Sequence, residues 1–368
     1  MSVMPEVVSN TLNELHLAIR KCDVDSAKKL FEKAKSLLND MEENDKIIVY
    51  YQLLSSRYKM MLYKTRGESF PQGDWKITED SLDDDTNSLI DYYFYLFEAE
   101  YLSYRNNYER AIEMMKIAEK KLELICSEIE TAEFYVRAAS LYRSIHQSIA
   151  SLSYINEAIN IYKRHEDYKL NLARSLTIKA TNYVHLKRYD DAEKCYLKSI
   201  KIARDMDDVY YEAMQCHNIS LMYSSAGRHK ECVNALQRAM RCREWKESVY
   251  HINSLYMIVK ERFIMGNPKG AIYYLNKAER VLKNVPNPIY ETKINIVRSL
   301  FCDEKKESLD KCRENIRYLE KSGDLDGVFD LSLLIKDQYE KKENFKEALE
   351  FANLAISTKE KMMMLRGV

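Results

Sequence analysis

The residues of this chain that could do chemistry stand far apart. Seven histidines (His16, His146, His165, His185, His217, His229 and His251) fall in different stretches, and none pairs with a cysteine at a metal-ligand spacing. The eight cysteines contain no C-x-x-C pair, and reduced cysteines acting as small core residues are the economical reading. There is no phosphate-binding glycine loop, no dinucleotide glycine fingerprint and no H-E-x-x-H. No nucleophile stands with a base and an orienting group. Neither a metal nor a cofactor is therefore expected. Side-chain amides are more informative. An amide is both donor and acceptor, so it can grip the backbone of an extended peptide. Asn218, two residues before the small Ser220, is the leading candidate. Asn182 is expected near the rim of the same face, with Arg174, His185 and His217 nearby; all could equally be solvated polar residues on a helix face. A second set, Asp45, Ile48, Gln52 and Ser55, lies at helical spacing on one stripe. On residue type alone, Ile48 could belong to a helical core and the others be merely solvated.

What positions these residues is a helical repeat of about 40 residues. Small residues recur at Ala111, Ser151, Ala192, Cys232, Ala271 and Ala348, each followed two helical turns later by another: Ala118, Ala158, Ser199, Ala239, Ala278 and Ala355. Small residues at fixed spacing let paired helices pack closely, and such a period means a stacked solenoid. Ala180, Tyr183, Tyr189, Ala192, Tyr196 and Ser199 match the small and aromatic positions of a tetratricopeptide unit. A degenerate unit must fill Lys293 to Tyr318, with its periodic residue near Asp310. In this architecture the first helix of each hairpin lines the concave face, which is where Asn218 falls. The pattern points to a protein that holds peptides or other proteins.

Three helices precede the repeats. The first carries Val8, Leu12, Leu15 and Ile19; the second, capped by Asp23, turns Ala27, Leu30, Phe31, Ala34, Leu37 and Leu38 inward. The third runs from about Asp45 to Lys64 with Ile48, Tyr51, Leu54, Tyr58, Met61 and Leu62 inward. Residues 66–88, with two Gly, one Pro and Trp75, read as a linker that either lets the bundle move or packs down permanently. The expected organisation is thus 1–65 bundle, 66–88 linker and 89–368 repeats. The fold class is all-α, a three-helix bundle followed by a right-handed tetratricopeptide solenoid of about seven hairpins. Gly and Pro scarcity agrees: no Pro lies between Pro71 and Pro268, and no Gly between Gly73 and Gly227. Met362, Met363 and Met364 are expected to close the last apolar face. Lys+Arg and Asp+Glu both number 57, which gives nucleic-acid binding no support. No signal peptide and no apolar run long enough for a membrane span are present, so a cytoplasmic location and no membrane partner are expected.

The layout resembles the Rap proteins of Bacillus. Met41-Glu-Glu-Asn44, Val49-Tyr-Tyr51, Leu53, Arg57 and Met61-Leu62 are similar to that family's third-helix signature. Tyr92-Tyr93 with Phe97, Ala132-Glu133-Phe134, Gln147 followed by Ser151, and Asn218 also match, and the segment Arg66-Gly67-Glu68-Ser69-Phe70 is similar to one branch. The resemblance implies a response regulator as partner, bound by the bundle through Asp45, Ile48, Gln52 and Ser55. It further implies inhibition by a short Phr-type signalling peptide in the repeat groove, whose binding pulls the bundle onto the repeats. Some members remove phosphate from a regulator aspartate in the sporulation phosphorelay; others block a regulator without chemistry.

Two departures from the family pattern matter. Phosphatase members place a Gln where this chain has Asp45. A carboxylate repels a phosphoryl group and offers no amide donor. Gln52, two turns on, could face the same side. His185 stands where many members carry an acidic residue that helps hold the peptide. Three readings follow: a regulator acting by sequestration, an aspartyl-phosphate phosphatase using another residue, and a general tetratricopeptide scaffold.

Overall fold

The computed structural model describes residues 3–42, 44–66, 88–302 and 307–365. Among them run eighteen α-helices and one 3-10 turn, with no strand. The fold is all-α. Two compact units divide it, Met1–Tyr211 and Glu212–Val368.

The first unit opens with the three-helix bundle: α1 (Pro5–Lys21), α2 (Val24–Asn39) and α3 (Asp45–Arg66). Pro5 starts α1, where its missing N–H costs nothing. Asp23 caps α2 by accepting from the Ser26 N–H at 3.0 Å. Asn44 does the same for α3, accepting from the Ile47 N–H at 3.2 Å and leaving Asp45 as the first helical residue. The bundle core contains Val8, Leu12, Leu15 and Ile19 from α1, Ala27 and Ala34 from α2, and Leu54, Tyr58 and Met61 from α3. Leu30, Phe31, Leu37, Leu38, Tyr51 and Leu62 are partly buried against it, and so is Ile47. Ile48, expected inward, is half-buried outside that cluster. A helix rotates each residue about 100° from the last, so neighbours 47 and 48 cannot share a face.

Three hairpins follow in the same unit: α4 (Ser88–Tyr104) with α5 (Tyr108–Leu122), α6 (Glu128–Ser144) with α7 (Ser148–Tyr162), and α8 (Lys169–His185) with α9 (Tyr189–Asp205). The second unit takes up α10 (Val209–Ser225), within which the division falls, and α11 (His229–Ala239). After the short α12 (Arg243–Glu247) come α13 (His251–Ile264) with α14 (Pro268–Asn284), α15 (Pro288–Phe301) with α16 (Glu307–Lys321), and α17 (Leu325–Lys341) with α18 (Phe345–Leu365). Among the described residues each unit carries antiparallel helix pairs of the tetratricopeptide type, with α12 standing between α11 and α13. Of the expected linker, residues 66–88, Arg66 ends α3 and Ser88 begins α4, and residues 67–87 lie outside the described residues.

All twelve periodic small residues are buried. Where serine replaces alanine, its hydroxyl is satisfied by a carbonyl of the preceding helix: Ser151 Oγ donates to Ala139 O at 2.7 Å and Ser199 Oγ to Ala173 O at 2.9 Å. The degenerate unit keeps this register at a different place. Asp310 is exposed, and Cys312 and Leu319 are the fully buried pair instead. Cys312 stands 41 residues after Ala271, within the period of the series, and the short step is the 36 residues from Cys312 to Ala348.

The hairpins turn in one way. Asn106, His146, Lys187, Gly227, Gly266 and Glu343 all have positive φ. In each, the two residues after the helix donate back to its last turn; Gly227 N–H bonds Ser224 O at 3.0 Å and Arg228 N–H bonds Tyr223 O at 2.8 Å. This doubly hydrogen-bonded end satisfies carbonyls the helix would otherwise orphan. Four of these turns, at Asn106, His146, Lys187 and Glu343, have no glycine, so their left-handed residue is invisible to a search for Gly. At the far end Met362 is buried, while Met363 and Met364 are exposed. Among the described residues no helix is long and apolar enough to cross a membrane.

Candidate functional site

The repeat period carries a stripe of uncovered residues along the first helices. Arg174, Ile178, Thr181 and His185 on α8 recur as Met214, Asn218, Leu221 and Ser225 on α10, then as Asn253, Met257, Lys260 and Ile264 on α13. Apart from the buried Met257, these residues are half-buried or exposed. Asn218 is thus half-buried on the expected face. Its neighbours in sequence, His217 and Ile219, are buried.

The other candidates separate. In the first unit, Asn182 is completely buried rather than near a rim. Its amide donates to Ser151 Oγ at 2.7 Å and to Ile178 O at 3.1 Å, so it ties α8 to the preceding hairpin. One residue beyond Thr181, Asn182 is turned about 100° around the helix from that member of the stripe. His185 is exposed, with its ring 5.2 Å from that of His146. Arg174 lies over the Tyr211 ring at 5.9 Å and contacts the Cys22 sulfur. In the second unit, His217 is buried; burial lowers its pKa to about 4, so the imidazole is neutral. It lies 3.2 Å from Ser254 Oγ and 3.4 Å from Asn253 Nδ2.

The Arg174–Cys22 contact belongs to a larger feature. By the same period Arg174 is preceded by Glu133 on α6 and Tyr93 on α4. In the first unit the bundle packs on this row. The Arg57 guanidinium of α3 is buried, paired with Glu133, and sits 5.7 Å from the Tyr93 ring and 5.5 Å from the Phe97 ring. Its Nη1 lies 3.1 Å from His16 Nε2, and His16 Nδ1 lies 3.2 Å from the Tyr50 hydroxyl. Arg137 donates to the same Glu133 oxygen at 3.3 Å. At the edge, Arg20 pairs with Glu130 at 3.0 Å, Lys21 with Asp167 at 2.8 Å, and the Asn171 amide donates to Arg20 O at 3.0 Å.

Electrostatics fix the protonation states. Burial, then the Arg57 charge, hold the His16 pKa well below its usual value, so His16 is neutral and its Nε2 accepts from Arg57. Burial opposes the Arg57 charge, but Glu133 and the surrounding groups outweigh it and the guanidinium stays charged. Burial first, then the neighbouring Glu133, raise the Glu130 pKa. Sequence reasoning missed this cluster. Its signal was present: Arg57 stands at helical spacing from the apolar Leu53, Leu54, Met60 and Met61, and Glu133 sits between Ala132 and Phe134. Charges inside buried runs require partners.

On α3 the second candidate set stays together. Asp45 is exposed, and Ile48, Gln52 and Ser55 are half-buried, while Leu53, Leu54, Arg57, Tyr58, Met60 and Met61 are buried on the opposite faces. Among the described residues no group of three or more His, Cys, Asp or Glu side chains could hold a metal ion.

Fold and site together define a tetratricopeptide-repeat protein whose N-terminal bundle rests on the first helices of its own repeats. The sequence profile of response regulator aspartate phosphatase H, N-terminal region, matches residues 2–63, and the tetratricopeptide repeat profile matches residues 130–205. Regulatory protein RapK of Bacillus subtilis (strain 168) is 40% identical over 368 residues, covering 100% of this chain and 99% of RapK. Regulatory protein RapG of the same organism is 32% identical, covering 97% of each chain. The crystal structure of a Rap protein complexed with competence and sporulation factor superposes with a TM-score of 0.78 at 25% identity, covering 98% of this chain and 99% of that one. The chain belongs to the Rap family.

Proposed function

We propose that this protein is a peptide-controlled regulator that binds a response regulator through α3 and blocks its signalling by sequestration. The observation that carries the reading is the Arg57–His16–Glu133 junction. It ties the helix bearing the regulator stripe to the row of repeat residues that continues, by period, to Asn218 and Asn253. In the first unit this row includes Tyr93, Glu133 and Arg174, the residues on which the bundle packs. The Rap protein solved with competence and sporulation factor supports a short signalling peptide as that ligand. The family profile over residues 2–63, named for a response regulator aspartate phosphatase, supports a response regulator as the partner.

Sequestration is favoured over catalysis by Asp45. It stands exposed at the first turn of α3, where its charge suits the positive end of the helix but repels an incoming aspartyl phosphate. The phosphatase reading rests on Gln52, half-buried two turns along the same stripe. Mixing the protein with a phosphorylated regulator separates the two. Sequestration leaves the phosphate on its aspartate while the regulator is bound; phosphate loss well above the regulator's own rate, abolished in Gln52→Ala, establishes catalysis.

A further inference from the structure

The hairpin pattern is interrupted between α11 and α13 by α12. The interruption delivers one side chain to the interior. Trp245 is fully buried, stacks on Tyr250 at 5.3 Å and lies 5.3 Å from the His217 ring. Its indole N–H donates to Ser254 Oγ at 3.1 Å. The same oxygen lies 3.2 Å from His217 Nδ1, and Asn253 Nδ2 lies 3.4 Å from His217 Nε2.

A count of protons orients this chain. The Asn253 Nδ2 group can only donate, so His217 Nε2 accepts. A neutral imidazole then carries its proton on Nδ1, which donates to Ser254 Oγ. The Ser254 hydroxyl hydrogen goes to the Tyr250 carbonyl at 3.2 Å. Each donor has one acceptor, and burial keeps His217 neutral. The Asn253 amide meets His217 through its nitrogen. Its carbonyl oxygen and second N–H remain for a ligand. Asn253 is half-buried on the uncovered stripe, one repeat beyond Met214 and two beyond Arg174. Asn218 is the next residue after His217 in sequence, and the His217 imidazole holds the Asn253 amide.

We propose that Asn253 is a second residue gripping the backbone of a short extended peptide, and that His217, Ser254 and Trp245 are positioning residues that set its amide. The proposal rests on the peptide reading above and deepens it. An extended strand offers N–H and C=O groups in alternation, which two oriented amides can take independently of the peptide's side chains. Affinity then comes partly from the main chain, and the side chains supply selectivity.

The test uses the full chain and a library of short synthetic peptides, read by fluorescence anisotropy, with the best binder carried forward. Asn253→Ala should weaken that peptide about tenfold while the chain stays folded, with a modest loss of thermal stability from the unpaired His217 Nε2. Asn253→Asp, which keeps size and the acceptor but loses the donors, should weaken it several-fold. N-methylation scanned along the peptide backbone should find one position that weakens binding to the wild type and has little further effect on Asn253→Ala. A merely structural asparagine gives no such coupling. Trp245→Phe, which keeps ring bulk and removes the N–H, should move affinity in the same direction. Equal affinity of wild type and both Asn253 variants overturns the proposal. If no peptide binds the wild type, the peptide reading falls and takes the proposal with it.

Discussion

Replacing Arg57 with methionine should release the bundle from the repeats. The side chain is fully enclosed, and its charge has Glu133 and His16 Nε2 as partners beneath two aromatic faces. Methionine retains much of the stem volume and removes the charge. Removing one member of a buried pair costs about 3–5 kcal/mol, because the other charge is left buried without compensation. Glu133 keeps Arg137 at 3.3 Å, so the lower end applies, about 3 kcal/mol. That is roughly a 100-fold change in the docking equilibrium. Hydrogen exchange read by mass spectrometry should show lost protection in α1, α3 and α6, with α13 to α18 unchanged. Pairing Arg57→Met with Glu133→Gln should cost well below the sum of the two single changes, as expected for partners in contact. Unchanged protection across α1 to α3 in Arg57→Met would refute the assignment of this pair as the junction.

Three further outcomes are expected. Gly227→Ala should cost about 1 kcal/mol in denaturant unfolding; no atom lies within 4 Å of the added Cβ, so the whole cost comes from its φ of +71°. Stability should fall as pH drops from about 6.5 toward 4, because His16 and His217 have lowered pKa values in the folded state and the unfolded chain takes up their protons first. For His217, with a folded value of about 4, this reaches about 3 kcal/mol, and melting temperatures of wild type and His217→Gln across that range should diverge. Asp45→Gln should raise the rate at which a bound, phosphorylated regulator loses phosphate, measured by radiolabel release, without weakening the complex.

The sequence made the repeat legible because its packing rule is simple. An alanine or serine at every close helix contact leaves a period that survives variation elsewhere, and all twelve such positions are buried. The rule fails where a larger residue solves the same packing problem, as Leu319 does seven residues after the buried Cys312, and the expected periodic residue near Asp310 falls two residues short of Cys312. The stripe containing Asn218 was legible for the same reason. Asn182 was not, since a helical face is sensitive to a single residue: one step from Thr181 turns the side chain into the interior, where Ser151 awaits it. Long-range pairings lay further from view. Arg57 and Glu133 stand 76 residues apart, and no local pattern links them. The Trp245 wedge was hidden because an irregular insertion carries no period at all.

The most direct measurement follows a complex of this protein with its response regulator by size-exclusion chromatography while the best-binding short peptide is titrated in. Wild type should release the regulator as peptide occupies the stripe, and Asn218→Ala should require about tenfold more peptide. Peptide that binds tightly while the regulator stays in the complex would contradict control of the bundle by the repeats.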